Sequence, residues 1–180
     1  MLKSLHVAFD DDSAGNQFGA PRDFSARVEV TDHPGAAARE RTVKVNGPLR
    51  VEGASIYLAG NGYAPVLTVR DSTGQVAFSG QVPFLVKDAN YTSAGVVKVT
   101  DALPQQLGLQ ALFLPTATVD PVLGPISTFP DARDPKIYFT AYEGDLGVDG
   151  GVPQNVYELD TTHMQQLKDC LLYTSDAADE

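Results

Sequence analysis

Apolar and polar residues alternate with period two along most of this chain. Phe24, Ala26, Val28 and Val30 fall on one face of an extended segment, with Ser25, Arg27 and Glu29 on the other. After a turn at His33-Pro34-Gly35, the run Arg41-Thr42-Val43-Lys44-Val45 alternates again and is expected to pair back as a hairpin. Residues 66–70 and 75–78 flank Asp71-Ser72-Thr73-Gly74, a spacing that predicts a type I turn with Gly74 in the left-handed region. Ser55-Ile56-Tyr57-Leu58 reads as a half-buried strand. Segments 96–99, 110–114, 136–142 and 155–159 bring the expected total to about nine strands, with turn signals every ~8–12 residues. The pattern predicts a mainly β fold: an antiparallel β-sandwich or barrel-like domain with one or two short helical turns. The helical turns are placed at Pro104-Gln105-Gln106-Leu107, where proline suits a first helical position, and at 161–167, capped by a threonine.

Turn residues refine this picture. Asn46-Gly47 can adopt positive φ, Pro48 fixes φ before the next strand, and Gly60-Asn61-Gly62 ends one. Between Pro115 and Pro135, Pro121, Pro125 and Pro130 interrupt a stretch with few strand signals, read as an ordered loop and a candidate binding surface. The aromatic residues Tyr57, Tyr63, Phe84 and Phe113 are expected to fill the core, ahead of the alternative that they form a contact surface.

The last eleven residues change the composition argument. Cys170 to Glu180 reads CLLYTSDAADE, which back-translates to a transposase sequencing adapter read in frame. The expected organisation is a β domain over 1–169, truncated at both ends, and a non-native tail over 170–180. Without Asp176, Asp179 and Glu180 the acidic count falls from 23 to 20 against 13 basic residues, so the net charge moves from −10 to −7. Either value argues against nucleic acid or an anionic membrane as a partner, which need clustered Lys and Arg. No apolar run approaches the ~20 residues that span a bilayer. The single cysteine, Cys170, lies in the tail, leaving the rest without a disulfide framework, a Cys-x-x-Cys centre or a Cys-x-x-Cys-His haem attachment site.

Motifs for catalysis are missing. His6, His33 and His163 are far apart and match no zinc-binding spacing. Gly144 to Gly151 lacks the ladder of oxygen ligands and the closing Glu of a calcium loop, so it reads as a surface turn. His163 beside Met164 is the one candidate for a haem ligand, although adjacent residues of a helix or strand do not both face one iron.

Certain runs carry a family resemblance. Asn46-Gly47-Pro48-Leu49, Gly53, Tyr57 and Gly62-Tyr63 are followed in order by Phe78-Ser79-Gly80-Gln81-Val82-Pro83-Phe84-Leu85 and by Asn90-Tyr91-Thr92-Ser93-Ala94-Gly95-Val96-Val97-Lys98-Val99. Phe113-Leu114-Pro115-Thr116-Ala117, Gly144-Asp145-Leu146-Gly147 and Gly151-Val152-Pro153-Gln154-Asn155-Val156-Tyr157 complete the series. Over most of 22–167 the chain resembles the ResB family of System II cytochrome c biogenesis, in its actinobacterial branch. The resemblance implies a piece of the large extracytoplasmic domain of a multi-pass plasma-membrane protein. It also implies a ResC/CcsA-type membrane subunit, apocytochrome c and a thioredoxin-like thiol reductant as partners, with haem handled by the whole complex. The family's haem histidines lie partly in membrane helices, so no tightly bound cofactor, catalytic residue or metal is expected here. The parent complex acts as a haem lyase, and this domain is expected to serve as a docking scaffold. The alternative is a secreted or cell-surface β-sandwich that binds carbohydrate or protein.

Overall fold

Each hairpin in this protein is set by the residues that turn it. Glu52 and Gly53 both take positive φ, 44° and 84°, as a two-residue hairpin turn of matching twist requires. They join β4 (Leu49–Val51) to β5 (Ala54–Ile56). At the next hairpin, the Asp71 carboxylate accepts hydrogen bonds from the N–H groups of Thr73 (2.8 Å) and Gln75 (3.1 Å) and from the Thr73 hydroxyl (2.6 Å). Gly74 sits at φ 84°, and the turn links β6 (Val66–Arg70) to β7 (Val76–Gln81), in line with the expectation.

The computed structural model describes residues 1–151 and 153–168; the tail assigned to 170–180 lies outside them. The fold is mainly β and antiparallel, in two compact units, Met1–Asn61 and the residues from Gly62 on. In the first unit, β1 (Leu2–Phe9), β2 (Pro21–Val30) and β3 (Arg39–Lys44) form a sheet in that order. Ala26 and Val43 face each other across β2 and β3 and are buried, while Phe9 and Phe24 meet edge to face at 6.2 Å. Ion pairs Arg22–Asp10 and Arg39–Asp32 tie the loops flanking β2.

The second unit is built on a five-stranded sheet. Its members are β8 (Leu85–Val86), β9 (Ser93–Val99), β10 (Leu107–Leu114), β13 (Lys136–Gly144) and β14 (Met164–Gln166), in the order β14-β13-β10-β9-β8. Two hairpins accompany it, β6-β7 and a pair formed by β11 (Ala117–Asp120) and β12 (Gly124–Ser127). Strict alternation in β9 buries Ser93, Gly95, Val97 and Val99 on one face. Register places Leu109, Ala111 and Phe113 beside them, and Ile137, Phe139 and Ala141 beyond. Leu67, Val69 and Phe78 of the β6-β7 hairpin pack on this core face as a second layer.

Several local expectations give way to tertiary contacts. The two helical turns do not form. The Gln106 carbonyl accepts from the Gly144 N–H and its side-chain Oε1 from the Leu146 N–H, drawing Leu107 into β10, while Met164–Gln166 is recruited by the open edge of β13. Residues 155–159 form a turn, not a strand, because Asn155 caps the Tyr157 N–H. The proline-interrupted stretch holds the β11-β12 hairpin, with Pro121 in its loop and Pro125 in the short strand β12. Ser55 and Ile56 are exposed, not half-buried, and β5 ends before Tyr57.

Candidate docking surface

Family-like residues from four runs of the second unit, Tyr63, Phe84, Tyr91 with Gly95, and Phe113, converge in one aromatic knot. Phe84 lies over Gly95, where an added Cβ would stand 2.2 Å from the ring. Phe84 and Phe113 meet edge to face at 6.4 Å, and the Tyr63 ring lies 4.7 Å from that of Phe113. Tyr91 approaches Tyr63 edge-on at 6.3 Å. The Tyr63 hydroxyl donates to the Pro130 carbonyl at 2.7 Å, tying the knot to the 115–135 segment. Burial, reinforced by the negative charge of Asp131 and by Tyr91, pushes the Tyr63 phenol up to about 12. Phe84, Phe113 and the half-buried Tyr63 therefore build the core, as expected, whereas Tyr57 is 68% exposed.

The remaining motif residues are turn-formers in the first unit. Asn46 holds φ 64° in the turn between β3 and β4, closed by reciprocal bonds between Lys44 and Gly47. Pro48 and Leu49 are half-buried at the start of β4, and Gly53 closes the next turn. Gly62, the first residue of the second unit, lies in ordinary van der Waals reach of the Phe84 carbonyl, 3.5 Å from where a Cβ would sit.

The sheet's opposite face differs from the core face. One cross-strand row runs Leu85, Ala94, Leu112 and Tyr138 through β8, β9, β10 and β13. Leu85 and Tyr138 are exposed, while Ala94 and Leu112 are half-buried. The next row is Val96, Gln110 and Thr140, and the third is Lys98, Gly108 and Tyr142. This third row is roofed: the Lys98 ammonium donates to the Gln154 side chain (2.9 Å) and the Asn155 carbonyl (3.1 Å), and Leu159 lies over Gly108. At the other end, Leu114 is fully buried. Two rows between these limits stay open, the first four strands wide, or ~14 Å at the usual strand spacing, and the second three. The first row is apolar and aromatic and the second adds Val96 beside Gln110 and Thr140, a strip of a size to receive a short extended segment of another chain.

An open cleft of about 660 Å³ lies beyond the ends of β9, β10 and β13, lined by residues that include Thr100, Pro104, Gln106, Asp145 and Asp149. Gln106 donates to the Asp149 carboxylate at 3.1 Å. Its lining has two carboxylates and no Lys, Arg, His or Met. Such a lining repels the propionates of haem and offers no axial ligand, so it does not fit that group. His163 packs its backbone carbonyl against Gly144 at the cleft rim, with its ring exposed, and His6 and His33 are exposed in the first unit. No group of three or more His, Cys, Asp or Glu gathers to hold a metal among the described residues. No helix there is long and apolar enough to cross a membrane.

Sequence reasoning missed the open strip because its members lie on four strands and meet only through register. The alternation of β9 and β10 showed that a second face existed, but not that segment 154–159 covers one end of it.

No match was found among curated proteins or solved structures. The model of the ResB-like family matches residues 1–178. The chain thus belongs to the ResB-like family, a membrane protein family of cytochrome c biogenesis.

Proposed function

We propose that this protein serves cytochrome c maturation as a docking scaffold on the extracytoplasmic face of the plasma membrane. Apocytochrome c is its client, and the open strip through Leu85, Leu112 and Tyr138 is where an unfolded segment lies. The carrying observation is that strip: the row Leu85, Ala94, Leu112 and Tyr138, with exposed Leu85 and Tyr138 at its ends and the mixed row Val96, Gln110 and Thr140 beside it, on a sheet whose other face is a packed core. An unfolded client presents apolar side chains that a folded cytochrome hides, so an apolar strip selects the form that still needs haem. Residues 1–169 contain no cysteine, so that part of the scaffold cannot form mixed disulfides with the client's two haem-binding thiols. Haem is cargo of the larger assembly, supplied with a ResC/CcsA-type subunit and kept with its thiols reduced by a thioredoxin-like protein. His163, exposed just before β14, is kept only as a candidate contact for that cargo.

Binding of reduced apocytochrome c to the immobilised chain tests this reading. Association at micromolar concentration is expected, with folded holocytochrome c ignored. Leu112→Asp and Tyr138→Asp each weaken it about tenfold, as loss of an interface anchor does. Val76→Asp, an exposed position on β7, leaves it unchanged. Equal affinity of wild type and strip variants, or no association, overturns the proposal.

A further inference from the structure

The β11-β12 hairpin ends in an apolar tip with no apolar neighbour of its own to cover it. Val122 is 90% exposed, and Val119 and Leu123 are both above 70%. Pro121 and Pro125 flank them and are also exposed. From Ala117 to Ser127 the sequence carries no Lys, Arg or Glu, and its single charge is Asp120. That carboxylate is turned back into the loop. Its Oδ1 accepts the N–H groups of Val122 and Leu123, both at 2.8 Å, and these bonds hold its pKa below the usual carboxylate range. The two prolines have no N–H, and Gly124, at φ 78°, sits in the ladder opposite Asp120. The N–H groups of Val122 and Leu123, at the turn of the tip, are therefore met internally.

The base of the hairpin is equally fixed. Ser127 accepts from the Thr116 N–H and donates to the Phe129 carbonyl, Asn90 donates to the Ser127 carbonyl, and Phe129 is buried. A rigid finger thus presents Val119, Val122 and Leu123 outward.

We propose that this tip dips into the outer surface of a lipid bilayer and sets the orientation of the domain on the membrane. A protein groove would also accept apolar side chains. Lipid is the better match because hydrocarbon cannot satisfy backbone donors, and those of Val122 and Leu123 at the turn of the tip are already satisfied. A tip without basic residues, on a chain of net charge −10, gains nothing from anionic headgroups, so the contact is apolar and independent of lipid charge. Membership of a membrane protein family brings a bilayer within reach. The contact is separate from the apocytochrome strip and is read without any partner present.

The chain has no Trp, so one placed at the tip reports alone. The full chain carrying Leu123→Trp is held by a terminal His-tag on phosphatidylcholine vesicles containing nickel-chelating lipid. Its emission is expected to shift to the blue and to be quenched by bromine-labelled acyl chains. Adding Val122→Asp abolishes both effects, and a Trp at exposed Val76 shows neither. Unshifted, unquenched emission from the tip overturns the proposal. So does a blue shift that tracks self-association in the absence of vesicles, which would make a second copy the occupant.

Discussion

Tyr63 joins the aromatic knot to the 115–135 segment through one hydroxyl, and its removal is expected to be measurable. Tyr63→Phe loses the bond to the Pro130 carbonyl and costs about 1 kcal/mol in denaturant unfolding. The hydroxyl also sets an alkaline limit. Its folded-state pKa is raised to about 12 from an ordinary value of 10.0, so the fold favours the protonated phenol. The resulting stability is fully present below the unfolded pKa and is lost as pH rises from there through the folded value. Tyr63→Phe is expected to flatten that alkaline loss, which pH-dependent unfolding midpoints would record. Gly95 answers a different demand, for space under the Phe84 ring. Gly95→Ala forces a Cβ to 2.2 Å from that ring and is expected to cost about 1–3 kcal/mol by overpacking. Pairing it with Phe84→Leu should recover part of the loss, so additive penalties in a double-mutant cycle would disprove the contact.

Among the elements, the β6-β7 hairpin was the most legible in the sequence, because Asp71-Ser72-Thr73-Gly74 encodes its own turn. Asp71 has a lowered pKa from the Thr73 hydroxyl and the backbone N–H groups of Thr73 and Gln75. A depressed carboxylate contributes stability above its unfolded pKa and loses it as pH falls through the folded value. Asp71→Asn should therefore reduce stability at neutral pH and leave a shallower acid decline, followed by thermal melts at pH 7 and in acid. Core strands β9, β10 and β13 were readable for a similar reason: a single buried face imposes a strict period of two. The misreadings fall where a long-range partner decides. Residues 161–167 have no helix-forming partner of their own, and the unpaired edge of β13 captures Met164–Gln166 as a strand. Residues 155–159 look like a strand by composition, yet Lys98 and Gly108 draw them over the sheet as a roof. The Pro121–Pro125 stretch conceals a hairpin because proline suppresses the strand signal while the Asp120 cap, two and three residues away, creates the turn.

At the scale of the whole molecule, the two units distribute the family's wording differently. The motif residues of the first unit, Asn46, Pro48, Leu49 and Gly53, shape turns, whereas those of the second build the aromatic core behind the open strip. The strip itself was illegible in the sequence: Leu85, Ala94, Leu112 and Tyr138 span more than 50 positions and become neighbours only through strand register. On the proposed reading this surface holds a client chain. The measurement that tests this most directly places a photo-crosslinking amino acid at Tyr138 of the protein in cells that mature c-type cytochromes. Irradiation is expected to yield a covalent adduct with apocytochrome c, absent when the probe is moved to Val76 and diminished by Leu112→Asp. An adduct of equal yield at both positions, or none at Tyr138 while cytochrome maturation continues, would contradict the account.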